Sequence, residues 1–549
     1  MSHLDRARTA IDNQDWAGAE SCLTSASEES PDAETWYLLG KIRFKRGKLA
    51  AAEESLRNSL KERPDDPRSL FFLSVCALAM GQPTQAVSWI ERYLALMPED
   101  ANGWHQLGLA RAAEKSHAEA FVAFERASRL TDAAEPLLAL AVRAADQAGL
   151  HAEGIPVAER WLACAPRDAN RLRQLLRLQF LAGRAEACDA THARLREAEG
   201  KTPDTGQLQI SRVVTTETWE LLANNWVQLH LESAPGGKGT RIRPSLTRHD
   251  QARLLTPEWL AFTAGNDVLI EQMTHNPETL HLKGPHVLAC REESCLLDLP
   301  ALSDASIDDA AILVGGSAHY YHWLLDHLPR IGVAHKVPAL RELKLLVNES
   351  PTEWQWASLD AIGIDRSLVT TVPDNALIRC RALWVPTLLS RVTAVHAYVP
   401  GWLRRRLLTK EMKAAPARRL LLRSPADKPW QAADEQALAD ALAPLGFELI
   451  APETMGFMEQ VAAFAVAEIV VAPAQQALAN ILFAPPQTHV VEISSPDGHN
   501  TFFKSLARAV GLRHRFFPAN ATQDTETRRH APDIEALRRM IVDDATVTA

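Results

Sequence analysis

The chain has no apolar run of about 18 residues, the length a membrane-spanning helix needs. Its opening stretch, MSHLDRARTAIDNQDW, has no apolar core of the secretory kind. Seven cysteines (Cys22, Cys76, Cys164, Cys188, Cys290, Cys295 and Cys380) form no CxxC and no Cys/His set at zinc spacing. They read as small core residues in a reducing compartment. These absences lead us to expect a cytoplasmic protein, free or peripheral to the inner face of a membrane. No Asp-x-Asp occurs, so no motif has a divalent cation holding a diphosphate, and no metal site is expected. The lack of a GxSxG elbow sets aside a Ser-His-Asp hydrolase. Positive charge is also short: 59 Lys and Arg against 68 Asp and Glu leave a net charge of −9. That sign argues against a general nucleic-acid binder.

What is present is an ordinary globular composition over 549 residues, 46% hydrophobic and 23% charged. Such a length holds roughly three to four domains. Residues 1–200 carry an internal period. Pro31, Pro64, Pro98, Asp132 and Pro166 recur at steps of 33 or 34. Trp36, Leu70, Trp104, Leu138 and Leu172 share one column, and Leu39, Leu73, Leu107, Ala141 and Leu175 another. Ala19, Ala52, Ala86 and Ala120 form a small-residue column that Gly154 and Cys188 continue. Large residues at these positions fill the groove between paired helices, small ones let the helices cross closely, and proline stops the second. The pattern resembles the tetratricopeptide repeat, five to six copies long. A TPR-like α-helical solenoid is expected, whose concave face either recruits a protein partner or serves only as a scaffold. The polar stretch LREAEGKTPDTG (195–206) reads as the boundary.

From 207 to 310 the helical period fades into a β-rich lead-in, with strands expected at Trp226–Glu232, Thr240–Arg243, Asp267–Gln272, Thr279–Leu282, His286–Cys290 and Cys295–Leu299. Then comes AILVGGSAHYYHWLLDHLPRI (311–331), an apolar strand broken by Gly315 and Gly316 and followed by a helical segment. His322, Asp326 and Arg330 step by four, so a base, a carboxylate and a cation can face one space. The same spacing also suits a surface helix with an i,i+4 ion pair. Strands and helices alternate from 343 to 510, as in α/β sheets. Helices are expected at Trp402–Lys413, 456–466 and 475–484 within this stretch.

HYYHWLLDHLPRI resembles the signature of the family 61 glycosyltransferases. His319, Tyr320, Tyr321, His322, Trp323, Asp326, Pro329 and Arg330 fit its order. A second block, residues 446–493, is similar at Glu453, Glu459, Gln460, Leu478, Asn480, Phe483, Pro485 and Glu492. The resemblance spans roughly residues 210–520 and implies an α/β GT-B-like two-Rossmann glycosyltransferase behind the repeats. Its N-terminal subdomain would be residues 207–400 and its nucleotide-sugar-binding subdomain 401–549. It further implies transfer of a sugar from a nucleotide-sugar donor to a glycan or protein acceptor, the donor being substrate and no cofactor being needed. His322 would be the base and Asp326 its orienting partner, although the reverse assignment also fits. His319, Tyr321, Trp323 and Arg330 would bind substrate. Arg423 and Lys428, with help from a basic cluster that includes Arg404–Arg406, Arg418 and Arg419, would face the diphosphate. Asn480 and Glu492 would complete the donor side, Glu492 either on a sugar or ribose hydroxyl or in a structural ion pair.

One departure stands out. Where the family carries a His-Gly-Ala-Gly-like turn, this chain reads Ala474-Gln475-Gln476-Ala477. A glycine there lets backbone N–H groups approach a pyrophosphate. Gln475 hinders that approach unless its side chain itself binds the donor. A catalytically degenerate, transferase-like scaffold is therefore the alternative reading.

Overall fold

The computed structural model describes residues 3–30, 32–201, 206–214, 226–228, 244–269, 284–291, 293–317, 319–391, 394–413, 417–424, 432–494, 501–521 and 530–546. Lys428 and the strands expected at Thr240–Arg243 and Thr279–Leu282 lie outside these residues. The chain divides into two compact units, Met1–Pro203 and Asp204–Ala549.

Among the described residues the first unit is an array of twelve helices running from His3–Asp12 to Ala185–Ala198. Its small-residue column is where helices touch. Ala19, Ala52, Ala86 and Ala120 are wholly buried, and a Cβ on Gly154 would lie 2.9 Å from the Ala145 methyl. The second helix of a pair ends two residues before the spacing proline at Glu62, Leu96 and Cys164. A further column of the same period carries the helix caps. Asp32, Asp66, Asp100 and Asp168 each cap the helix that follows, their carboxylates accepting backbone N–H groups two or three residues on. Ala134 breaks this column, and its helix carries Pro136 in the first turn instead.

The second unit holds two large sheets. The first is built from β1 (Gly206–Val214), β2 (Trp226–Gln228), β3 (Ser245–Leu255), β4 (Leu260–Phe262), β5 (Val268–Leu269) and β6 (Val287–Arg291). To these are added β7 (Ser294–Pro300), β8 (Leu302–Leu313), β9 (Lys344–Asn348), β10 (Val369–Val372) and β11 (Leu377–Pro386). Their order is β10-β9-β8-β11-β3-β4-β5-β1-β7-β6, with β2 beside β3. The lead-in strands thus extend the same sheet. β10, β9, β8 and β11 pair in parallel, and β3 joins β11 antiparallel. A short ribbon, β12 (Ser390–Arg391) with β13 (Ala394–Val395), follows.

The second sheet comprises β14 (Arg418–Leu422), β15 (Phe447–Ile450), β16 (Ala467–Pro473), β17 (His489–Ser494), β18 (Arg513–Ala521) and β19 (His530–Pro532). Its order is β15-β14-β16-β17-β18-β19, parallel except for the last pair. The first five strands follow the doubly wound order 2-1-3-4-5, whose direction reverses between β14 and β16. In open α/β sheets ligands bind at the carboxyl ends of the strands at such a reversal. One continuous core joins the two sheets. Ile312, Leu345 and Val347 of the first and Leu420, Val470 and Val490 of the second bury against the same intervening helices.

Two elements differ from the sequence expectation. The helix expected at Trp402–Lys413 runs instead over Tyr398–Leu407, followed by a 3₁₀ turn at Glu411–Lys413. That expected at 475–484 is a 3₁₀ helix, Gln476–Phe483, almost entirely buried, so packing rather than propensity sets its pitch.

Candidate functional site

The site starts where β8 ends. Gly315 has φ +94°, and a Cβ there would lie 2.5 Å from His327 Nδ1. Only glycine lets the chain pass this close to the imidazole. The turn exposes the Val314 carbonyl, which accepts hydrogen bonds from Arg330 Nη1 at 3.0 Å and from His327 Nδ1 at 3.2 Å. Burial pushes the His327 imidazole down to about 3, helped by the neighbouring Arg330 charge, so it sits in the fold as a neutral Nδ1–H donor. Burial also lowers the Arg330 guanidinium to about 10, against the opposing pull of Asp326.

Past the turn, helical residues Tyr320–His322 lead into a π turn at Trp323–His327 and then the helix Leu328–Ala334. Pro329 has no N–H to offer the carbonyl four residues back, and the backbone widens just before it. The stripe of His322, Asp326 and Arg330 therefore does not lie on a surface helix. Asp326 is 2% exposed and Arg330 1%, which removes the surface ion-pair reading. His322 remains partly exposed, with its Nδ1 2.7 Å from Asp326 Oδ2. The other carboxylate oxygen of Asp326 accepts a hydrogen bond from Ser390 Oγ of β12. A carboxylate can only accept here, so Nδ1 carries a proton, and in the neutral ring Nε2 is the acceptor nitrogen.

The aromatic candidates sit deeper. Trp323 is wholly buried, its indole N–H donating to Ser358 Oγ at 2.8 Å. Tyr321 is buried edge-on to Phe502 and Phe503. His319 lies at the exposed start of the segment, its ring centroid 6.0 Å from that of His322 and nearly perpendicular to it.

On the second sheet, Arg423 follows β14 and pairs with Glu435 at 3.2 Å. Arg418 and Arg419 lie at the opposite, amino end of β14 and pair with Glu448 and Glu468, away from the ligand-binding edge of the sheet. Arg405 and Arg406 are exposed, and Arg404 is partly buried. Gln475 is buried, and its Nε2 donates to the Arg423 carbonyl at 3.0 Å. Its side chain thus bridges the ends of β14 and β16, the point where the strand order reverses. Asn480, also buried, accepts from the Tyr320 hydroxyl at 2.7 Å and donates to Gln460 Oε1 at 2.8 Å. Glu492 and His514 form a buried hydrogen-bonded pair at 2.8 Å, so Glu492 has a structural partner. Among the described residues no three His, Cys, Asp or Glu side chains gather as a metal site would require. No helix among them is long and apolar enough to cross a membrane.

Two contacts were not foreseen. Ser390, 64 positions from Asp326, gave no sequence signal. Gln476 bonds both His319 and the Tyr320 backbone, at 2.8 and 2.9 Å. The doubled glutamine in the altered turn was its only trace. The structure thus brings His319, His322, Asp326 and Arg330 to one end of β8, where Gln476 reaches His319 and Asn480 reaches Tyr320 from the second sheet. Tyr321 and Trp323 are directed into the core beneath.

Comparison with known proteins adds to this geometry. Residues 320–491 match the family model described as Glycosyltransferase 61. Residues 4–67 and 37–102 match the model described as Tetratricopeptide repeat. No curated protein matches the chain. Among solved structures it is similar to MamA protein, with 18% identity over 31% of this chain and 92% of that one, at a TM-score of 0.28. It is also similar to a tetratricopeptide repeat protein from Parabacteroides merdae, with 18% identity over 37% of this chain and 80% of that one, at a TM-score of 0.29.

Proposed function

We propose that the second unit moves a sugar from a nucleotide-sugar donor to a glycan or protein acceptor, because residues 320–491 match the glycosyltransferase 61 model and follow a match to tetratricopeptide repeats. The observation that carries this reading is the 2.7 Å bond between His322 Nδ1 and the buried carboxylate of Asp326. It orients the imidazole so that Nε2 can take a proton, and Asp326 stabilises the imidazolium that forms. In the proposed step Nε2 removes the proton from the acceptor hydroxyl while that oxygen attacks the anomeric carbon. The bond from the anomeric carbon to the diphosphate oxygen breaks, the nucleoside diphosphate leaves, and the configuration inverts. The assignment favours His322 over Asp326 as base, because both oxygens of Asp326 are already held by His322 and Ser390.

We read the two sheets as a GT-B-like pair, with the donor at the β14/β16 reversal and the acceptor near His322. The leaving group would be neutralised by side chains and oriented N–H groups, without a metal. Arg423 stands at that edge, and Asn480 holds the 3₁₀ helix behind it. The repeats would recruit the acceptor or a protein partner, and the site requires no cofactor.

Transfer assays across a panel of nucleotide sugars test the reading. Asp326→Asn and His322→Ala should each lower turnover by about 10³–10⁴-fold with the fold intact by circular dichroism. Wild-type turnover in either variant would remove that residue from the mechanism. EDTA should leave the rate unchanged, and a rate restored only by added divalent metal would overturn the metal-free step.

Gln475 favours a second reading. Its side chain fills the crevice a glycine would leave to a pyrophosphate, as in a transferase fold kept for binding alone. Calorimetry against the same donors separates the two readings. A folded protein that binds none of them favours the scaffold.

A further inference from the structure

We propose that Gln476 fixes His319 as a hydrogen-bond donor to the departing diphosphate; this builds on the transferase reading above. The polarity of the contact follows from the chemistry of its members. The Tyr320 backbone N–H can only donate, so the Gln476 atom 2.9 Å away must be the amide oxygen. The amide nitrogen therefore faces His319 Nδ1 at 2.8 Å, and it too can only donate. His319 Nδ1 must then accept, which places the ring proton on Nε2. The two histidines of the site are thus set in opposite senses. His322 is bonded through an Nδ1–H and offers an accepting Nε2, whereas His319 is bonded through an accepting Nδ1 and offers an Nε2–H.

Location decides what that donor meets. Gln476 begins the 3₁₀ helix immediately after β16, beside the strand-order reversal where the doubly wound sheet would take its phosphates. His319 is exposed and held against this turn, whereas His322 lies farther along the helical segment. Gln475 and Gln476 divide the work of the altered turn between them. Gln475 ties the turn to β14, and Gln476 ties it to the first sheet's histidine segment. The turn's lost glycine is then compensated by a donor brought from the first sheet's histidine segment. As the anomeric bond breaks, charge grows on the diphosphate oxygen and the Nε2–H bond to it strengthens. His319 keeps its proton throughout, so no group is consumed. Gln476 is a positioning residue, since it acts through His319.

The test needs no knowledge of the sugar. Long-range ¹H–¹⁵N correlation spectra of ¹⁵N-histidine-labelled full-length protein report the tautomer, with His319 assigned by the signal lost in His319→Gln. The wild type should show His319 protonated on Nε2, and this nitrogen should shift on titration with inorganic pyrophosphate, the part common to every nucleoside diphosphate. Gln476→Glu replaces the amide donor by a carboxylate, which accepts from both the Tyr320 N–H and a His319 Nδ1–H. It should move the proton to Nδ1 and weaken pyrophosphate binding by about tenfold or more. Gln476 is exposed, so the fold should tolerate this exchange. If the variant fails to fold, the wild-type tautomer and its pyrophosphate response decide. Protonation on Nδ1 in the wild type, a tautomer unmoved in a folded Gln476→Glu, or a His319 signal indifferent to pyrophosphate would each overturn the proposal. A wild type that transfers no sugar yet shows the tautomer and the shift would sink the transferase reading and leave His319 as a donor that binds a diphosphate without a departing group.

Discussion

Three histidines within nine positions show how little a residue's type says about its role. His327 is partly buried and neutral against a carbonyl, His322 is partly buried and bonded to a carboxylate, and His319 is exposed against an amide. The first kind carries a pH dependence. Burial pushes His327 down to about 3 and His249, inside the first sheet, to about 4. Both lie below the ordinary value of an unfolded histidine, so below about pH 6.5 the unfolded chain binds protons that the fold does not. The stability these two contribute is complete above that pH. It falls as pH drops toward 4, by up to about 1.4 kcal/mol per pH unit for each. Urea midpoints should therefore decline between pH 7 and pH 5, and His249→Gln should flatten the decline. Equal midpoints at both pH values would contradict the burial argument.

Among the elements, the repeat helices owe their starts to caps. Asp66 accepts from the Ser69 N–H at 3.1 Å and from the Ser69 hydroxyl at 2.7 Å, and it is buried. Asp66→Ala should cost about 1 kcal/mol of stability, read as a lower urea midpoint with unchanged helical content. A midpoint within error of wild type would mean that the cap is replaced locally. The cap column was open to a reading of the sequence, because its period equals that of the prolines, yet polar residues in turns carry weaker signals than apolar columns do. The π turn at Trp323–His327 was not legible. Pro329 hints at it, but a proline inside a helical segment also permits a kink or an end, and only the packing of Trp323 and Leu325 selects the widened turn.

For the whole molecule, each unit has its own buried core. Residues 1–203 and 204–549, expressed separately, should each give a cooperative thermal transition. A fragment that melts without one would show that it depends on the other.

The sequence by itself determined the repeat array, because a period of about 34 with large and small columns has few solutions in helix packing. It also determined the alternation of strands and helices in the second unit and the cluster of ionisable groups after β8. Those features are written in local patterns. What the tertiary structure alone decided is how groups distant in the chain meet. Ser390 closes on Asp326, Gln475 spans β14 and β16, and Gln476 sets the His319 ring from 157 positions away. Hydrogen-bond polarity depends on which atoms end up within about 3 Å of one another, and only the packed sheets fix that.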